Sequence, residues 1–339
     1  MSSNSKITVS KIAAGAGVSP ATVSRVLNHR HLVKPETIEQ VENAMKALGY
    51  SIPEHKITAP REEPVIILNI PNINNLFYTE VIQGATMSAN SHGCHLLINQ
   101  SPLDHGSFHG FCSLIRRVNA AGVIFLNQVP SELLHQINQM VPVIQCCEYN
   151  QDADLPYVSI DDCRAAMKAT EYLIASGKNK IAFINGPLSF KYAMERQRGF
   201  LTAMSNADLS IPKSWLIQLP EVNYEMAYAA VCQLLTSEVV PGAFFAASDM
   251  LAAAAIRAAK RYHYHVPRDI MVVGFDNIDL SAMYTPSITT VSQPKFQEGF
   301  SSCEMLLEKI ANPDSATRSI LFDTELVIRE STSTNSGAI

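Results

Sequence analysis

The segment at residues 7–28, ITVSKIAAGAGVSPATVSRVLN, limits what this chain can fold into more than any other. Ile12, Ala13 and Ala16 recur at helical spacing, and Gly15-Ala16-Gly17 ends that helix, because glycine tolerates the positive φ of a helix terminus. A second helix starts at once. Ser19 is a good N-cap, Pro20 fits the first helical position, and Val18 and Val23 are placed for a hydrophobic staple. Val23, Val26 and Leu27 form its inward stripe, while Ala21, Arg25 and Asn28 point the other way, flanked by Thr22, Ser24 and His29. An ordinary exposed helix face carries Glu/Lys pairs more often than small hydroxyls, one Arg and one Asn. Such a face suits a DNA major groove, where Arg pairs with guanine and hydroxyl or amide groups meet bases and phosphates. A third helix opens at Pro35, carries Ile38, Val41, Met45 and Leu48 on one side and stops at Gly49. Residues 1–50 are therefore expected to form a helix-turn-helix headpiece whose second helix is the recognition element. The competing reading is a small three-helix bundle of any purpose.

Residues 51–64, SIPEHKITAPREEP, hold three prolines and no periodicity, which predicts a linker. From Val65 the pattern changes. Short apolar runs such as VIILNI, GVIFLN, KIAFIN, GAFFAAS and IMVVGFD alternate with amphipathic helical stretches. Unbroken apolar strands alternating with helices mean parallel sheets covered on both faces. Some nine such strands between 65 and 276 are too many for one compact unit, so the body, residues 65–331, is expected to be α/β with two doubly wound subdomains. The last residues, 332–339, are polar and predict a disordered tail.

The net charge of −5 fits a DNA binder poorly until it is divided: residues 1–50 carry +3 and the remainder −8. Such asymmetry suits one nucleic-acid module on a body that repels DNA. The seven cysteines are scattered, without C-x-x-C or zinc spacing, and predict reduced thiols in a cytoplasmic protein. No signal segment or membrane-length apolar run is present, so no membrane partner is expected. The histidine pairs His105/His109 and His263/His265 lack a third ligand nearby, and no phosphate-cradling or nucleophile-elbow motif occurs. Neither metal nor cofactor nor enzymatic activity is expected.

VSPATVSRVLN, followed by a helix ending in LGY, resembles the headpiece of the LacI/GalR family of transcriptional regulators, and FDNIDL near 276 with ITTVSQP resembles its cytidine-responsive branch most. The resemblance implies a repressor whose homodimer reads near-palindromic double-stranded operator DNA. It also implies a periplasmic-binding-protein-like body whose cleft holds a small polar effector, a nucleoside or a sugar. By position, Pro20, Ala21 and Arg25 would read bases, and Thr8, Ser19, Thr22, Ser24 and Asn28, with His29 beside them, would contact phosphate or position the helix. The family's hinge helix, with its Ala-Arg-x-Leu core, has no counterpart in the linker. Its three subdomain crossings would fall near 161, 291 and 323.

Ligands of open parallel sheets bind at the carboxyl ends of the strands. There, Phe77 and Tyr78 match the family's ligand-stacking aromatics, against the alternative of core packing, and Phe190, Tyr192 and Arg196 match positions that contact the effector. Arg196 could instead make a surface ion pair with Glu195. Asp276 ends a strand, where a carboxylate accepts hydroxyl hydrogen bonds, although a turn Asp is common. Asp249 reads equally as a helix cap and as a cleft residue, and Asp161 and Asp162 line the cleft or hold the hinge. Cys146 stands at a strand end where the resemblance implies an acid in some relatives, a departure of this chain from them. Two rival functions remain, a solute-binding protein without a DNA role and a doubly wound enzyme using the same cleft.

Overall fold

The computed structural model describes residues 9–28, 33–48, 63–315 and 318–333. The chain divides into two units, Met1–Glu63 and Pro64–Ile339. The first holds α1 (Val9–Ala16), α2 (Pro20–Asn28) and α3 (Pro35–Ala47). Ile12, Ala13, Val23, Val26, Val41 and Met45 form its core. Gly17 has φ of +67°, and Val18 N donates to Ala13 O at 3.1 Å, closing the end of α1 in a Schellman bond. Ser19 caps α2, its Oγ accepting from Thr22 N at 3.1 Å. Leu48, expected on the core side, is 39% exposed, because α3 ends at Ala47 and Leu48 caps it. Thr8, His29, Gly49 and linker residues 51–62 lie outside the described residues.

The second unit begins with β1 (Val65–Ile70), α4 (Phe77–Ser91), β2 (His95–Gln100), α5 (Phe108–Arg117), β3 (Ala120–Phe125), α6 (Ser131–Asn138), β4 (Val143–Cys146) and β5 (Tyr157–Ile160). It continues with α7 (Asp162–Ala175), β6 (Ile181–Asn185), α8 (Lys191–Asn206), β7 (Leu216–Gln218), α9 (Tyr224–Leu235), β8 (Ala243–Ala246) and α10 (Asp249–Arg261). It closes with β9 (Met271–Asp276), α11 (Asp279–Met283), β10 (Thr289–Ser292), α12 (Lys295–Ala311), β11 (Ile320–Phe322) and β12 (Glu325–Val327). The strands form two six-stranded sheets, ordered β11-β5-β4-β3-β1-β2 and β12-β10-β9-β8-β6-β7. Every neighbouring pair is parallel except the antiparallel β10–β12. The central strands IAFIN and AFFA are buried at every residue, whereas edge strands β2 and β7 hold none that is fully buried. This is the pattern of a sheet sandwiched between helix layers.

Three short strands, β10, β11 and β12, come from C-terminal stretches whose mixed polarity gave no clear strand signal. The chain passes from the first sheet to the second after β5 and after β11, and back after β10. At the first passage Asp161 caps α7, accepting from Arg164 N at 2.9 Å. The expected tail at 332–339 starts too early: Thr332 is buried, and its hydroxyl pairs with Thr289 Oγ1 at 2.6 Å. Residues 334–339 lie outside the described residues. No helix among the described residues is long and apolar enough to cross a membrane.

Candidate functional site

The carboxyl ends of both sheets converge on a cavity with about 480 Å³ of empty space including its mouth. Phe77 and Tyr78, at the start of α4 after β1, form part of its wall and meet edge to face at 5.2 Å. Cys147 and Glu148 follow β4, Asp162 follows β5, and Tyr192 and Arg196 follow β6 on α8. Asp276 ends β9, and Gln293 follows β10.

Arg196 organises the floor. Its Nε donates to Asp162 Oδ1 at 2.9 Å, and its Nη1 donates to Ala247 O at 2.7 Å and to Asp276 Oδ1 at 3.2 Å. The guanidinium lies 3.5 Å from the centroid of Phe275 and 4.9 Å from that of Tyr192, so its planar cation stacks on rings while its edge pairs with carboxylates. Lys191 Nζ reaches Asp162 Oδ2 at 2.7 Å. Burial pushes the Asp162 carboxyl up, but Lys191 and Arg196 outweigh it and hold the group below the usual range. The Asp276 carboxyl is pushed up to about 6, because burial outweighs Arg196 and Lys295.

The turn after β9 is unusual in its backbone. Asp276 has φ of +105° and Asn277 of +51°, a region that side chains with a Cβ rarely occupy. Lys295, buried at the start of α12, holds this turn by donating to Asp276 O at 2.6 Å and Asn277 O at 3.0 Å. Gln293 Nε2 adds a bond to Asp276 Oδ1 at 2.7 Å. Strain held this firmly is typical of ligand-binding turns.

Glu148 links the two sheets. Its oxygens accept from Lys191 N at 2.8 Å and Tyr192 N at 3.0 Å, so a carboxylate from the first sheet caps α8 of the second. An anion at a helix N-terminus meets both the unpaired amides and the positive end of the dipole. Burial nonetheless raises the Glu148 carboxyl, with Lys191 opposing.

Six of the expected body residues line this cavity: Phe77, Tyr78, Asp162, Tyr192, Arg196 and Asp276. Phe190 does not. It faces a neighbouring hollow beside Val129 and Pro130 and stacks behind Tyr192 at 5.6 Å. Asp249 is fully buried and turned away from the cavity, accepting from Thr290 Oγ1 at 2.5 Å and Ile278 N at 2.9 Å. It is not the helix cap either, since Ser248 Oγ takes that place, accepting from Leu251 N at 3.4 Å. Burial pushes the Asp249 carboxyl up to about 8. Glu148, Lys191, Gln293 and Lys295 were not singled out from sequence. Cys146 is the last residue of β4, and the acid that serves this strand end is Glu148, in the turn that follows.

On the headpiece, the cap Ser19 and, on α2, Pro20, Ala21 and Ser24 are exposed, and Thr22 is half-buried with its hydroxyl 2.8 Å from Ser19 Oγ. The backbone of Arg25 and Asn28 lies in α2, while their side chains fall outside the described atoms.

Two family models match parts of the chain. Residues 5–53 match bacterial regulatory proteins of the lacI family, and residues 170–332 match a periplasmic binding protein-like domain. The chain is 30% identical to the HTH-type transcriptional repressor CytR of Escherichia coli (strain K12) over 328 residues, 96% of each. It is 31% identical to the HTH-type transcriptional regulator DegA of Bacillus subtilis, over 97% of this chain and 98% of that one. The solved complex of the transcriptional regulator CelR with cellobiose superposes with a TM-score of 0.71 at 26% identity, covering 96% of this chain and all of that one. These relatives are regulators rather than enzymes. The chain belongs to the lacI family of bacterial regulatory proteins and is a DNA-binding transcriptional repressor of that family.

Proposed function

We propose that this repressor is controlled by a neutral, hydroxyl-rich effector, a nucleoside or failing that a sugar, held in the cavity between the two sheets. The observation that carries the reading is the Arg196–Asp276 pair, set among the rings of Tyr192 and Phe275. Aromatic faces stack a base or a sugar ring, and the carboxylate accepts paired hydroxyls. Phe77, Tyr78 and Tyr192 supply the faces, Asp276 and Arg196 the polar contacts, and Phe190 supports Tyr192 from behind. The cellobiose complex of a relative supports a small hydroxylated ligand. A thermal-shift panel of nucleosides and sugars on the purified chain tests this, since a ligand selective for the native state raises Tm. No shift from either class at millimolar concentration would overturn it.

The effector works by preferring one relative position of the subdomains, and so biases the paired headpieces of a homodimer in the cytoplasm. Exposed apolar side chains on the body, Ile98, Met226 and Met283, supply material for a self-association surface. On the operator, Pro20, Ala21 and Arg25 face the bases, while Thr8, Ser19, Thr22, Ser24, Asn28 and His29 address phosphates or position the helix. Pro20 and Ala21 offer only apolar contact, so Arg25 carries most of the hydrogen-bonded readout. Arg25→Ala is expected to lower the preference for operator over random duplex by about 1–3 kcal/mol in competitive gel-shift titration. An unchanged ratio would remove Arg25 from base reading.

Asp276 gives the effector response a pH dependence. Its carboxylate form accepts hydroxyls, and that form gives way to the protonated acid as pH falls through about 6. Effector affinity measured calorimetrically is therefore expected to be full at pH 7.5 and to weaken progressively below about pH 6. A flat profile between pH 5 and 7.5 would place ligand recognition elsewhere.

A further inference from the structure

The turn that follows β4 joins two neighbouring cysteines to the cavity. Cys146 and Cys147 have their sulfurs 3.6 Å apart, and Cys147 lines the cavity while Cys146 is buried behind it. Cys147 has φ of +64°, and Glu148 N donates to Cys146 O at 2.8 Å, two residues back. That combination is a γ-turn of the rare, strained hand with Cys147 at its centre. The next residue, Glu148, is the carboxylate that caps α8 from the opposite subdomain. On the inner side lies Glu298, fully buried, its carboxyl interacting with the Cys147 side chain.

We propose that the Cys146–Cys147 pair is a peroxide-oxidisable dithiol whose closure to a disulfide displaces the Glu148 cap and loosens the cavity. A hydroperoxide is small enough to enter by the effector's route and meet Cys147 first. The Cys147 sulfur attacks one peroxide oxygen, the O–O bond breaks, and the thiol proton leaves on the departing oxygen as water or alcohol. This gives a sulfenic acid on Cys147. The Cys146 sulfur then attacks the Cys147 sulfur, the S–S bond forms, and the hydroxyl leaves as water with the Cys146 proton. Two thiols are oxidised by two electrons and the peroxide is reduced by two.

Glu298 is held mainly as the neutral acid at neutral pH and does not take the thiol proton, which leaves on the departing oxygen. Burial pushes its carboxyl up to about 8. The Cys147 thiol is itself raised, by its contact with Cys146 first and burial second, so oxidation is slow until peroxide accumulates. Neighbouring Cα atoms stand about 3.8 Å apart across a trans peptide, below the roughly 4.4 Å that relaxed disulfides need. The product is therefore strained and readily reduced, as a reversible switch requires. Drawing the sulfurs together rotates the 146–147 peptide, and Glu148 moves with it.

The test uses the full-length chain and does not require the effector. Reduced protein is treated with hydrogen peroxide and its free thiols are alkylated. Trypsin plus a Glu-specific protease then isolates the pair from Cys163. The expected product is an unalkylated peptide lighter by two hydrogens, restored by dithiothreitol. In C146S the same treatment should leave a dimedone-reactive sulfenic acid on Cys147. Hydrogen exchange at the first amides of α8, Lys191 and Tyr192, should become about tenfold faster in the oxidised wild type, the factor expected from losing one hydrogen bond to a charged acceptor. In peroxide-treated C146S it should not. Persistence of both thiols at peroxide levels that oxidise Cys163 or Cys232 would overturn the proposal. So would a disulfide that forms while α8 exchange stays unchanged.

Discussion

Arg196→Ala is expected to destabilise the body by about 3–5 kcal/mol and to abolish the effector response with it. The size follows from what the guanidinium holds. Asp162 and Asp276 are both buried, and both accept from the Arg196 guanidinium, at 2.9 and 3.2 Å. Removing it leaves Asp162 with Lys191 alone, and Asp276 with Gln293 as its side-chain partner. It also strips Ala247 O of its bond and leaves a void against Phe275. Arg196→Lys should recover only part of the loss, because one ammonium cannot span Nε and Nη1 positions that serve three acceptors. The single tryptophan, Trp215, is buried in the second subdomain and reports unfolding there by fluorescence in urea. A loss under about 1 kcal/mol in Arg196→Ala would mean that the carboxylates protonate without strain, and that the ion cluster is not what holds the floor.

Gly84→Ala and Gly299→Ala are expected to be nearly as damaging, for a different reason. A Cβ on Gly299 would stand 1.9 Å from Val81 O, and one on Gly84 would stand 2.0 Å from Phe296 O. In both cases the obstacle is backbone, so α4 and α12 must separate. Overpacking of this kind costs about 1–3 kcal/mol and sometimes more, and a backbone obstacle puts these variants at the upper end. Because α4 carries Phe77 and Tyr78 and α12 starts at Lys295, separation also disturbs the cavity wall and the strained turn at Asp276. Effector affinity and urea midpoint should fall together. Gly110→Ala is the control: nothing lies within 4 Å of its added Cβ, and Ala in a helix is favoured over Gly by roughly 0.5–1 kcal/mol. If Gly84→Ala and Gly299→Ala both behave like Gly110→Ala, the two helices are not locked at their glycines.

Local periodicity carried far in this chain. Runs such as IAFIN and AFFA have no alternation, and they became strands buried on both faces. Gly17 and Ser19 announced the end of one helix and the start of the next, and both do that work through backbone and hydroxyl bonds. What periodicity could not carry was the meeting of distant segments. Glu148 caps a helix that begins 43 residues later in the chain. Asp249 reads like a cleft acid because it follows a strand, yet the approach of Thr290 and Ile278 turns its carboxylate inward. Phe190 and Tyr192 are two residues apart, and only the second reaches the cavity, the first backing it. Such choices depend on where the three inter-sheet passages place each strand end. Arg196 was legible as a polar anchor, but its sharing between two buried carboxylates was not.

The central claim is that filling the cavity between the sheets changes how tightly the headpieces hold their operator. Its most direct test is a gel-shift titration of the full-length chain on an inverted-repeat site selected from random duplexes, with and without a nucleoside that raises Tm. The account predicts a change in Kd of about 5- to 150-fold, the usual span of such coupling. It further predicts that Asp276→Asn keeps the unliganded Kd and loses the change. A nucleoside that stabilises the body yet leaves operator affinity untouched in the wild type would contradict it.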